Sequence, residues 1–240
     1  MTKAGSGSLK LSAANTFSGG MTLNSGAVFV GNNAALGTGM LTVLGSTVSS
    51  DSTTVRTLAN AYNLGGSITL GDAVKSGVLS LSGVGALTAN TTLATLSPVV
   101  MSGSIGGGGF TLTKTGTSTL TLSGANTFSG GASVTSGAVY VGNNAAFGTG
   151  VLTINGAAVS SDSISGRALS NAYSFGGAVT LGDAVNSGML TLGGSGTLAS
   201  NVTLTVASDV VLSGVVSGAF SLTKSGLGAL TLSGSNTFSG

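Results

Sequence analysis

Five carboxylates, Asp51, Asp72, Asp162, Asp183 and Asp209, are the only acidic side chains in 240 residues, and His, Cys and Glu are absent. Without His or Cys there is no imidazole base, no Ser-His-Asp relay, no thiolate nucleophile and no zinc site of the usual ligand set. Catalysis would have to rest on Asp and Arg, as in cleavage of an acidic polysaccharide by Asp-bound calcium with an Arg base. Two pairs have the spacing for it, Asp51 with Arg56 and Asp162 with Arg167. Both recur in phase with a long sequence repeat, whereas an active site is not normally duplicated with its scaffold. They read as surface ion pairs, each contributing about 0–1 kcal/mol. No enzyme activity and no cofactor or metal is expected.

The remaining motifs give the same answer. The run Gly106 to Gly109 lacks the Gly-Lys-Ser/Thr of a phosphate cradle and no helical pattern follows it, so it is a turn. Asn15, Asn126 and Asn236, with Asn32-Asn33 and Asn143-Asn144, have the chemistry to bind sugar hydroxyls. The alternative is left-handed turn positions that hydrogen-bond the neighbouring coil, and this is the reading adopted. Phe17, Phe128 and Phe238 sit at equivalent places and are expected to pack one corner in a shared column in preference to stacking on sugars. Thr119-Leu120-Thr121 resembles one rung of an ice-binding threonine array, but Ser133-Val134-Thr135 and Thr153-Ile154-Asn155 break the series.

The elements that must position these residues follow from a repeat. Lys3, Lys114 and Lys224 begin nearly identical phrases, and Asn60-Ala61-Tyr62 returns as Asn171-Ala172-Tyr173. The units are 2–112, 113–222 and a partial 223–240, within one continuous body over 1–240. Inside each unit the rhythm is period two: Leu120 and Leu122 alternate with Thr119, Thr121 and Ser123. Leucines therefore fall on one face and hydroxyls on the other. Runs of about five residues bounded by Gly, Asn or Ser recur to the C terminus. Short strands in an open-ended repeat select a solenoid over a sandwich or barrel. At about 22 residues per coil, each unit holds about five coils, and the three lysines are expected in one column. Aromatic residues are 5% of the chain, as a narrow core of Leu, Val, Ile and Ala requires. Gly31 and Gly142 open the Gly-Asn turn of each copy.

Charged residues are only 5%, for a net charge of +2, with no cluster of Lys or Arg, so nucleic acid is not an expected partner. No apolar run suits a membrane span. The opening MTKAGSGSLK has no signal-peptide character, and both ends fall in mid-repeat, which points to a piece of something longer. Such ends leave terminal coils uncapped. End-to-end self-association is one expected interaction, and a glycan or host receptor on the lateral face is another.

The words LTKTGTSTLTLSGANTFSGG and SGAVYVGNNAAFGTG closely resemble the autotransporter-associated β-strand repeat, or passenger-associated transport repeat. Lys114, Gly116, Leu120, Leu122, Gly124, Asn126, Gly130 and Gly131 match its pattern, with Phe128 in place of the commoner Tyr. The first copy departs from it with Ala13 at the place of Gly124. The resemblance implies an all-β, right-handed parallel β-helix from the secreted passenger of a large Gram-negative surface protein. It also implies an extracellular or cell-surface location, and a stalk whose repeats help folding to proceed during outer-membrane secretion. The translocator barrel of that family has no counterpart among these 240 residues.

Overall fold

The computed structural model describes residues 1–240 as an all-β chain without a helix. The period-two pattern becomes strands that alternate inward and outward. In Thr119–Leu122 both leucines are buried and both threonines face out. Every strand pairing is parallel, and successive coils stack into a β-solenoid of about 12 turns. Three strand positions per turn define three faces. Their inward side chains merge into one continuous apolar core of 49 residues.

Turn length is not constant, and this sets the relation between repeats. Along the first face Thr2 pairs with Thr22, Thr22 with Thr42, Thr42 with Asn63, Asn63 with Ala86, and Ala86 with Gly106. These are five turns. Thr113, the counterpart of Thr2, starts not on that face but on the second, where Thr92 pairs with Thr113. The second repeat behaves alike: its pairings run from Thr113 through Ser133, Thr153, Ser174 and Thr197 to Ser217, and Thr223 then appears on the third face beside Thr203. Each unit thus makes five and a third turns, and like words advance by one face per repeat. The expected single column for Lys3, Lys114 and Lys224 is corrected. So is that for Phe17, Phe128 and Phe238. At about 4.8 Å per coil, successive copies are about 26 Å apart along the axis.

The extra residues behind the uneven turns form loops. Asp51–Val55 and Asp72–Val78 project from the edge between the second and third faces. Their counterparts, Asp162–Gly166 and Asp183–Met189, project between the third and first.

The core also holds larger rings than a thin solenoid was expected to take. Tyr62, Tyr173, Phe128, Phe147 and Phe175 are all fully buried. Room comes from glycine one coil on: a Cβ on Gly85 would lie 2.2 Å from Tyr62 Cε2, and one on Gly196 2.4 Å from the same atom of Tyr173. Tyr173 and Phe175 then pack with ring centroids 4.8 Å apart.

Candidate functional site

The twelve charged side chains fall into two groups with different work. Three lysines, one per repeat, hold backbone carbonyls at a corner. Lys114 is only 2% exposed although it occupies a core position, in register with Leu93 and Val134. Its ammonium has three hydrogens, and it donates to Thr115 O and Gly116 O at 2.8 Å and Ser136 O at 3.1 Å. The lysine therefore ties its own turn to the next coil, and burial lowers its pKa to about 8. Gly116, at φ 77°, is what lets the turn close: a Cβ there would lie 2.4 Å from Thr95 O. Lys3 repeats the tripod with Ala4 O, Gly5 O and Ser25 O, while Lys224 reaches Gly226 O alone.

The other charges line the loop-bearing edges. Asp51 accepts from Lys10 at 3.0 Å and Arg56 at 3.3 Å, and the Lys10 ammonium, followed by Arg56, draws its carboxyl below the ordinary value. Gly31 lies in the intervening coil, where a Cβ would stand 2.8 Å from Asp51 Oδ2. Gly142 clears the same space for Asp162, which pairs with Arg167 at 2.7 Å. Asp72 and Asp183 each accept two backbone N–H groups of their own loop, from Val74 and Lys75 and from Val185 and Asn186. These bonds hold both carboxylates ionised to lower pH, with the Lys75 and Asn186 amides contributing most. Asp209 caps the next coil at Ala229 N.

One exchange between the copies is concerted. In the first repeat Lys75 Nζ lies 3.9 Å above the Phe29 ring. In the second, Phe29 is replaced by Tyr140 and Lys75 by Asn186, and Tyr140 donates to Asp183 at 3.4 Å. A cation–π contact gives way to a hydrogen bond, with the loop held in both. All five carboxylates are thus committed to pinning loops or coils. Asp51 and Arg56 do meet, as do Asp162 and Arg167, but nowhere do three acidic groups converge.

The asparagines act differently from expectation. No non-glycine residue has positive φ, so none of them occupies a left-handed turn. Asn32 and Asn143 accept from Ala34 N and Ala145 N of their own turn, and the other side chains bridge coils. Buried Asn126 accepts from Ile105 N at 2.8 Å and donates to Ala146 O at 2.6 Å, spanning the coils on either side. Of the two bridges Asn15 makes only the forward one, to Ala35 O, beside a local bond to Ala13 O, and Asn236 makes only the backward one, from Val216 N. Asn33 and Asn144 accept from Thr57 N and Ala168 N of the next coil. Phe128 is wholly buried and so cannot stack on a sugar, while Phe17 and Phe238 pack against the core half-buried. Missed in the sequence were Asn60 and Asn171, each donating to two carbonyls of the preceding coil. Their repetition before a core Tyr was the available signal.

This geometry defines a parallel β-solenoid in which a Lys that holds turn carbonyls and an Asn that bridges coils mark the start of each unit, the Lys as a full tripod in the first two. Residues 1–28, 112–141 and 222–240 match the family model of the Passenger-associated-transport-repeat. The chain is also 34% identical over 248 residues to the Adhesin BmaC autotransporter of Brucella suis biovar 1 (strain 1330). That alignment covers 100% of this chain and 7% of the relative's length. No solved structure matches.

Proposed function

We propose that this chain is a non-catalytic spacer within the surface-exposed passenger of an autotransporter, a stalk segment that holds another region away from a Gram-negative cell. The observation that carries this reading is the uninterrupted core of 49 residues beneath parallel ladders running from the first coil to the last. Each coil buries its apolar side chains on the previous one and completes its backbone hydrogen bonds, so order propagates along the axis. In a secreted passenger, that propagation gives outward movement a direction. The passenger-associated transport repeats and the similarity to an autotransporter adhesin support the same placement.

The test is removal of one unit, residues 2–112, from the parent protein in its own cell. The cut joins equivalent positions and preserves coil pairing. A spacer predicts unchanged surface display with the distal region about 26 Å closer to the membrane. Unchanged reach, or loss of the distal region's activity when display and reach both follow prediction, would refute it.

A further inference from the structure

A groove of about 340 Å³ opens on the lateral surface between Asn33–Thr38 of one coil and Ala59–Ala61 of the next. Its polar groups are fixed before any ligand arrives. Asn60 is 8% exposed, and its Nδ2 donates to Gly37 O at 3.1 Å and Gly39 O at 2.7 Å. That sets the plane of the carboxamide and leaves Oδ1 as an acceptor without a partner. Asn33 is oriented the opposite way: its Oδ1 accepts from Thr57 N at 3.0 Å, leaving Nδ2 as an unused donor. Thr38 adds a hydroxyl, and the methyl groups of Ala34, Ala59 and Ala61 form the apolar part of the lining.

The second repeat supplies a natural comparison. Six of the seven lining residues recur there unchanged, and only Ala59 is replaced, by Ser170. Asn171 is tied to Gly148 O and Gly150 O as Asn60 is to its own glycines. Yet no groove forms there, and Asn171 Oδ1 is enclosed without a hydrogen-bond partner. Among the residues that line the groove, one hydroxymethyl in place of a methyl is the difference between the two copies, while behind them the buried Leu36 becomes Phe147.

We infer that the groove of the first repeat binds a neutral saccharide unit. A preset acceptor, a preset donor and a hydroxyl beside methyl groups match a ring carrying hydroxyls on its rim and C–H groups on its face. No charged side chain lines the groove, so a carboxylated sugar gains nothing there. The volume is at the small end of ligand sites, which suits one or two sugar rings. Affinity for a single unit is millimolar, and a surface bearing many such units raises it by multivalency.

The intact ¹⁵N-labelled chain is titrated to about 100 mM, well above a millimolar Kd, with methyl glucoside, methyl galactoside and N-acetylglucosamine. N-acetylneuraminic acid serves as the charged control. Saturable shifts are expected at the amides of residues 33–38 and 59–61, and none at 144–149 and 170–172. Ala59→Ser abolishes them, and Ser170→Ala creates the second set. Both variants fold, because each copy natively tolerates the other's residue. Absence of saturable shifts with all three neutral sugars, equal shifts in both repeats, preference for the charged sugar, or persistence in Ala59→Ser each overturns the assignment. So does failure of Ser170→Ala to open the second groove.

Discussion

Asn126 offers the sharpest test of how the coils are joined. Replacement by Ala removes both bridges at once and leaves Ile105 N–H and Ala146 C=O without their partner in a site where Asn126 itself is 2% exposed. Each unsatisfied buried group costs about 1–3 kcal/mol, so Asn126→Ala should lose about 2–6 kcal/mol. Asn15→Ala breaks one bridge at a less buried site, to Ala35 O, and should lose about 1 kcal/mol. Asn126→Asp keeps the acceptor for Ile105 but sets a second oxygen against Ala146 O. Its loss at neutral pH should shrink in acid, where the carboxyl carries a hydrogen to donate. Urea midpoints followed by circular dichroism give the ranking, and hydrogen exchange at Ile105 N–H reports the bridge directly. Equal losses at Asn15 and Asn126, or unchanged protection of the Ile105 amide in Asn126→Ala, would refute the account.

Four further outcomes are expected. The ammonium of Lys114 loses its proton near pH 8 when folded and near 10.5 when unfolded, so the unfolded chain binds more protons between those values and stability rises with pH across that window. Urea midpoints of Lys114→Met should lack that rise and fall below those of the parent, because three carbonyls lose their donor. The Tyr62 and Tyr173 hydroxyls are buried without partners. Tyr62→Phe should be neutral or gain about 1 kcal/mol in thermal unfolding. Burial raises the Tyr173 phenol from 10.0 to about 12, so stability falls between pH 10 and 12 as the unfolded chain alone ionises, and alkaline melts of Tyr173→Phe should show less of that fall. Finally, Gly85→Ala drives a methyl into the Tyr62 ring and should cost about 1–3 kcal/mol, largely restored in the double variant with Tyr62→Leu. A destabilisation that persists unchanged in the double variant would refute the packing argument.

Alternation such as Thr119-Leu120-Thr121-Leu122 made the strands and their inward faces legible, because a half-buried strand has no other periodicity. The recurrence of Lys3 as Lys114 and Lys224 made the open-ended stack legible too. The face on which each copy lands was not, since it depends on turn length, which varies from 19 residues between Ser8 and Ala27 to 25 between Ser67 and Thr92. Assuming about 22 residues per coil concealed the extra third of a turn. The buried rings were hidden for a related reason: the glycine that admits Tyr62 is Gly85, a neighbour only after the chain has come round once. The burial of Lys114 was not legible because its carbonyl partners are created by the turn it closes and by the next coil. The Asn roles were half visible, with the coil bridging foreseen and the backbone conformation wrong.

The advance of one face per unit bears on how straight a long array of such units can be. A triangular rod with protruding loops on one edge is stiffer in some directions than in others, and any small built-in bend would curl a stack of identically oriented units into an arc. Here each unit is turned by a third of a circle relative to the last. Bends in three successive units point in three evenly spaced directions and cancel. The bend becomes a shallow corkscrew that closes every three units, and the rod's end-to-end distance stays close to its contour length. Bending resistance averages in the same way, so an extended array would yield equally little to a push from any side.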